Sequence, residues 1–166
     1  MRADYINPVL FSVMETLTQI THHEPHPGKV KLKRHELSQG VVTGLVNLQI
    51  DHHIGSLALS FSRDLILYLT SELTHQSIRR IDNAALNVAG RLTYLACNGA
   101  KQYLPNKDAH FMLTNPQVFQ GFRQRIHHAG HEPKLMLQFE TPAGICFSEF
   151  SIAGLGEMRG AHGEAL

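Results

Sequence analysis

The chain has 166 residues and a formal net charge of +1 with its 12 histidines neutral. That length predicts one domain, able to bury about 70% of its unfolded surface without a metal or a disulfide. The near-zero charge excludes a broad basic field for nucleic acid, and no uncharged apolar run approaches the roughly 20 residues of a membrane span.

The opening residues, Met1 to Pro8, lack the apolar segment of a secretory leader. Cys97 and Cys146 have no CxxC spacing, so reduced thiols and a cytoplasmic location are expected, with a disulfide between them as the alternative. Titration of so many histidines predicts changed behaviour, chiefly in solubility, below about pH 6.5.

The first element is a helix over residues 8–20, with Pro8 in its first turn, Asn7 as cap and an apolar stripe at Leu10, Val13, Met14, Leu17 and Ile20. A His- and Pro-rich loop follows. Residues 30–33, 41–50 and 54–61 read as strands, the last two as a hairpin around Asp51-His52-His53. A helix from Arg63 to about His75 is capped by Ser62. A long helix follows, capped by Asp82 or Asn83 and ended by Pro105. Residues 111–113, 122–127, 134–140 and 145–150 read as strands, 115–121 as a loop, and Thr141-Pro142-Ala143-Gly144 as the turn joining the last two. The order predicts an α/β (α+β) layer, a largely antiparallel sheet packed by long helices. The domain is expected to span residues 1–153, with 154–166 a Gly-rich flexible tail.

The long helix is the likeliest functional surface in the pattern. At 100° per residue, Ala85, Val88, Ala89, Leu92, Leu95, Ala96, Gly99 and Tyr103 share a face made for burial. The opposite face carries Asn87, Arg91, Tyr94, Asn98 and Lys101, and no acidic residue falls between Asn83 and Lys107. A solvated face is the plain reading of such a stripe. An aromatic set between Arg91 and Asn98 is the feature that points instead to a binding anchor.

The chain resembles the CheX branch of the CheC/CheX/FliY chemotaxis-phosphatase family over roughly residues 4–152. The resemblance rests on Tyr5-Ile6-Asn7-Pro8, on Gly40-Val41-Val42-Thr43-Gly44, and on Gly55-Ser56-Leu57-Ala58-Leu59-Ser60-Phe61. It continues through Asp82 to Lys101, with Gly90-Xaa-Leu92-Thr93 and Ala100-Lys101, and through Pro116-Xaa-Val118-Xaa-Xaa-Gly121. It implies a CheY-type receiver domain as partner, its phosphoaspartate as substrate, and a homodimer; no cofactor or metal is expected from the motifs present. In the family, a Glu-Xaa-Xaa-Asn motif sits on this helix after the glycine. The asparagine amide orients the attacking water and the glutamate pairs with a lysine of the regulator. Hydrolysis of an acyl phosphate needs little more than an aligned water and neutralised charge.

Here the sequence departs from the family. The Glu position is Arg91 and the Asn position is Tyr94. The tyrosine ring carries its hydroxyl well beyond the place of an asparagine amide, and an arginine facing the regulator's lysine costs several kcal/mol. The sequence therefore predicts a protein-binding module that has lost the phosphatase motif, with Asn87, Arg91, Tyr94, Asn98 and Lys101 as partner-binding residues and no catalytic residue. One alternative is an active phosphatase using a non-standard set: Asn98 and Asn87 are amides one turn from the motif, and Glu15-Xaa-Xaa-Thr18 on the first helix lacks the asparagine. The other is a structural dimer component, joined through an edge strand of the C-terminal half.

Two histidine clusters, His22-His23-Glu24-Xaa-His26 and His127-His128-Xaa-Xaa-His131-Glu132, hold metal-ligand types but neither HExxH nor a helical face to align them. They read as exposed loop and strand-end histidines. No GxSxG elbow is present, and Gly154-Leu155-Gly156 fits neither a phosphate loop nor a dinucleotide turn.

Overall fold

The structure, a computed structural model, describes residues 3–129 and 133–154. Most of the expected tail, residues 155–166, and His131 and Glu132 of the second histidine cluster lie outside the described residues.

Helix α1 (Ala3–Thr21) begins five residues earlier than its pattern predicts, so Pro8 lies inside the helix rather than in its first turn. Tertiary burial explains the extension. Ile6 is buried in the core, and the Tyr5 ring meets the His53 ring at a centroid distance of 4.7 Å. These contacts hold the turn before Pro8, whose own N–H is absent from the helical ladder.

Short strands β1 (His26–Pro27) and β2 (Lys31–Lys33) precede the long hairpin of β3 (Val42–Ile50) and β4 (His53–Phe61). Asp51, at φ 53°, takes the left-handed turn conformation that Asp tolerates. Helix α2 (Arg63–Thr74) is capped by Ser62, whose hydroxyl oxygen accepts the Leu65 N–H. Helix α3 (Asn83–Gly99) is capped by Asp82, whose carboxylate accepts the Ala85 N–H at 3.0 Å. It tightens into a 3-10 turn over Ala100–Tyr103 before Leu104, extended ahead of Pro105, ends it. Strands β5 (Phe111–Leu113), β6 (Gln117–Gln120), β7 (Lys134–Thr141) and β8 (Gly144–Gly154) complete the chain.

Among the described residues, all pairings in the sheet are antiparallel, in the order β1-β7-β8-β4-β3-β5, with β2 also on β7 and β6 also on β3. Two regions differ from their sequence patterns. Residues 117–120, expected in a loop, form β6, because the outer edge of β3 needs a partner and Val42–Leu45 take these four residues. Residues 122–127, expected as a strand, are irregular apart from one bridge between Leu37 and Arg125. They cross the sheet face and bury Ile126 instead of joining an edge. The C-terminal hairpin strands are both interior: β8 lies between β7 and β4, and β1 and β2 occupy the outer side of β7. Among the described residues, the C-terminal half therefore supplies an edge only through the short β5 and β6.

The helices cover one face of the sheet. Val9, Val13 and Leu17 of α1, Leu65, Ile66 and Leu69 of α2, and Ala85, Leu92 and Ala96 of α3 pack on Val46, Leu57, Phe61, Phe139 and Phe150 in a single core. A smaller cluster of Leu45, Ala58 and Ile126, with Phe119 against it, lies on the opposite face, where alternate side chains of β3 and β4 point.

Gly44 lets α3 reach the sheet. A Cβ built there would lie 2.2 Å from Thr93 Oγ1 and 2.8 Å from the Ala89 carbonyl oxygen. Both neighbours are buried and packed, so neither can yield. Gly44→Val is expected to destabilise the protein by about 3 kcal/mol, the upper range for overpacking. Gly28→Ala, whose Cβ would meet only Gln138, is expected to stay within about 1 kcal/mol. Urea unfolding of the two variants checks this; equal midpoints would show that α3 does not lean on position 44.

Candidate functional site

A groove of about 910 Å³ runs between α1 and α3 and ends against the C-terminus of α2. Its floor is apolar, from Ile20, Leu73, Val88, Leu92 and Leu95. Its polar rim consists of Glu15, Gln19, Asn87, Arg91, Asn98 and Gln102. The crossing that closes its base is tight: a Cβ on Gly99 would lie 2.4 Å from Ser12 Oγ, a buried hydroxyl of α1.

All five stripe residues, Asn87, Arg91, Tyr94, Asn98 and Lys101, are exposed. The groove divides them. Asn87, Arg91 and Asn98 line it, while Tyr94 and Lys101 stand outside it. Helical rotation accounts for the division. Measured from Asn87, Arg91 and Asn98 lie about 40° and about 20° toward α1, and Tyr94 about 20° away from it. Lys101 belongs to the 3-10 turn, where the rotation per residue changes. Arg91 has no ion-pair partner among the described residues.

The buried face of α3 is narrower than its pattern predicts. Leu95 is 46% exposed on the groove floor, and Tyr103 is 38% exposed. Leu95 lies at the margin of the apolar arc, which α1 leaves open, and Tyr103 belongs to the 3-10 turn, whose different rotation per residue carries it off the buried face. Tyr103 packs edge-on against Phe11, and its hydroxyl donates to Glu15 Oε2. Gln102 Nε2 donates to the same oxygen at 3.3 Å. The bond to Glu15 raises the Tyr103 pKa above its ordinary value, since the phenolate would lose the donated hydrogen and face a carboxylate. Glu15 is thus tied to the chain's own α3 end, which leaves Arg91 as the groove's uncommitted charge.

Glu15, Gln19, Gln102 and Leu73 were not singled out by the stripe on α3. A signal for the first two existed in the polar run Ser12, Glu15, Thr16 and Gln19 along one flank of α1, but only the packing shows that this flank faces α3.

The other sheet face holds a buried charged cluster. Lys33 Nζ donates to Glu149 Oε1 at 2.7 Å and to the Leu37 carbonyl, and both charged side chains are 1% exposed. His128 Nε2 lies 3.6 Å from the same carboxylate oxygen, and His128 Nδ1 lies 2.7 Å from Ser56 Oγ, which also accepts the Ala129 N–H. Ser56, His128 and Glu149 have the residue types of a hydrolase triad, but complete burial denies a substrate access to the hydroxyl. They clasp the segment before residue 130 onto the sheet.

Among the described residues no three metal-ligand side chains converge, and no helix is long and apolar enough to cross a membrane. Cys97 and Cys146 are buried free thiols, and burial pushes both well above the ordinary thiol range.

With the geometry established, comparison with known proteins identifies the family. The model for the chemotaxis phosphatase CheX matches residues 42–140. This chain belongs to the CheX family. It is similar to a CheC-like superfamily protein from Shewanella sp. PV-4, at 30% identity over 93% of this chain and 100% of that one, with a TM-score of 0.82. The chemotaxis protein CheX from Vibrio vulnificus matches at 24% identity over 91% of this chain and 100% of that one, TM-score 0.80. A crystal structure of a CheX–CheY–BeF3–Mg complex from Borrelia burgdorferi matches at 23% identity over 91% and 99% of the two chains, TM-score 0.75. No curated protein matches. The α+β fold with its antiparallel sheet is thus a CheC-like fold.

Burial alone would raise the Glu149 carboxyl, but the His128 and Lys33 interactions outweigh it and hold the group below its ordinary value of 4.5. His128 Nε2, at 3.6 Å, stands beyond hydrogen-bond distance, so we assign the lowering chiefly to Lys33. A carboxyl lowered in the folded state stabilises at neutral pH, and that contribution is lost as pH falls below about 4.5. Lys33→Met leaves a buried, uncompensated carboxylate and is expected to cost about 3–5 kcal/mol. Its carboxyl is then raised, so mild acidification should restore stability. Lys33→Met combined with Glu149→Leu should recover most of the loss at pH 7. Denaturant unfolding of the wild type and both variants at pH 7 and pH 5 reads all three effects; a single-variant loss below about 1 kcal/mol would refute the account.

Proposed function

We propose that this chain is a chemotaxis signalling protein that docks a CheY-type receiver domain on the α3 stripe and the adjoining groove, without the family's phosphatase chemistry. One observation carries the reading. The stripe is an exposed, cation- and amide-bearing surface in a CheX-family fold, and the two positions that hold the family's Glu and Asn carry Arg91 and Tyr94. The surface remains available for docking, while the amide that would align water and the carboxylate that would pair with the receiver's lysine are gone. The receiver's phosphorylation pocket is acidic, which suits Arg91 and Lys101. The apolar groove floor adds burial that needs no charge matching.

The working unit in this proposal is residues 1–153 with 154–166 as a tail, acting in the cytoplasm as a homodimer, as family resemblance implies. The short outer strands of the sheet offer little edge for continuation, so helix or loop surfaces are the better candidates for pairing.

A second reading has its own support. The groove gathers a carboxylate, Glu15, and four carboxamides, Gln19, Asn87, Asn98 and Gln102, from two helices. These are the side-chain types of the family motif, so an active phosphatase with a displaced residue set is the alternative.

Phosphoaspartate loss from a phosphorylated receiver of the same chemotaxis system separates the two. With the wild-type chain at stoichiometric concentration we expect no acceleration, and with Arg91→Glu combined with Tyr94→Asn a gain of at least about tenfold. Acceleration by the wild type, abolished by Asn98→Ala, would establish the displaced site instead. Light scattering tests the homodimer.

A further inference from the structure

We propose that the sheet face away from the helices carries a second docking surface, a cationic track that takes an extended acidic segment of a partner protein. It is separate from α3 and does not depend on the docking reading above.

Positive charge is concentrated there in a chain that is nearly neutral overall. Lys31 stands opposite Met136, and Met136 opposite Glu149, which places Lys31 on the face of the buried Lys33–Glu149 pair. Lys29 lines the same shallow hollow as Lys31. Arg34 follows just past β2. The segment after it is bonded antiparallel to residues 124–126: the Ile126 N–H donates to the Glu36 carbonyl, and the Ser38 N–H to the Gln124 carbonyl. That pairing sets Arg125 beside Leu37 and carries Arg123 toward the far end of the same path. Cations therefore follow one another every few residues along a path of at most about 35 Å, and all of them are exposed. Lys29, Lys31, Arg34 and Arg123 have no ion-pair partner among the described residues. Two carboxylates border the track: Glu36, 4.0 Å from Arg125 and 3.6 Å from His127, and Glu140 in the hollow.

Two further features make the fitting anion a polypeptide. β2 pairs with β7 alone, so its outer edge is free among the described residues. Leu32, on the opposite face from Lys31, is 58% exposed, and Phe122, next to Arg123, is 63% exposed. A strand added to β2 turns alternate side chains to opposite faces. Acids at every second position then reach the lysines, and apolar residues between them cover Leu32. Lipid headgroups and nucleic-acid phosphates would meet the cations but make no use of the edge. Lysines on a short edge strand ordinarily keep other strands away. This guard has one sign: it repels a second copy of the chain, whose own edge is cationic, and attracts an acidic strand. The edge of β2 alone is a small contact, and the arginines extend it.

Fluorescence anisotropy of the full chain tests the track with a labelled peptide alternating Glu and Val over about ten residues, the length of the path. A Kd below about 1 mM is expected, weakening at least about fivefold between about 0.05 M and about 0.5 M salt. Lys31→Glu combined with Arg34→Glu should weaken binding at least about tenfold, and Arg123→Glu alone at least about threefold. Circular dichroism of the variants confirms folding. Hydrogen exchange with the peptide bound should slow at residues 29–33. No binding at about 1 mM, or undiminished binding by the charge-reversed variants, overturns the track. Equal binding of a peptide with its Glu and Val in two separate blocks, or protection confined to α3, overturns strand addition. Phosphatidylserine vesicles or single-stranded DNA that bind where the peptide does not overturn the polypeptide occupant.

Discussion

The approach of α3 to β3 at Gly44 governs the placement of everything on the helical side of the molecule. Without a side chain at position 44, the Ala89 carbonyl and the Thr93 hydroxyl settle against the strand. That contact fixes both the height and the rotation of α3. Its small residues, Ala85, Ala89 and Ala96, then pack into the sheet, and the arc holding Asn87, Arg91, Tyr94 and Asn98 turns outward. A helix held several ångströms higher would lose these core contacts.

The groove follows from a second close crossing. Gly99 against Ser12 brings α1 to the C-terminal end of α3, while α2 ends near Leu73 at the other end. The helices meet at the base and diverge above it, so apolar residues that would otherwise be covered, Leu73 and Leu95, floor an open channel. The stripe on α3 is therefore two surfaces. Arg91 and the two asparagines belong to the channel, and Tyr94 belongs to the outer flank. A partner bound over the helix would meet Arg91 and the two asparagines on one side and the Tyr94 ring on the other.

The opposite face of the sheet solves a different problem. Among the described residues no helix covers it, and the irregular segments around residues 33–38 and 121–129 fold across it. Lys33, Glu149, His128 and Ser56 tie those segments down with buried polar contacts, while Leu45, Ala58 and Ile126 supply a small apolar patch. A buried ion pair of this kind contributes little net stability, but it penalises any arrangement that separates its partners. In this chain it selects one path for segments without regular structure.

Periodicity made most of the helical and strand order legible, because amphipathic stripes, Asp82 and Ser62 caps and the β3–β4 hairpin are local features. It misplaced what depends on distant partners. β6 exists because the edge of β3 requires hydrogen bonds, Ile126 left a strand pattern because the second face needed cover, and α1 passes through Pro8 because Tyr5 and Ile6 find the core. The site was legible to the same degree. Sequence alone determined the polar stripe of α3, its lack of acids and the presence of Arg91 and Tyr94 on it, since these are matters of residue identity and helical spacing. Only the tertiary structure decided that Arg91 lines the groove while Tyr94 stands outside it, that Glu15 is already engaged by Tyr103 and Gln102, and that Lys33 meets Glu149 across the sheet, because each depends on the packing of elements far apart in the chain.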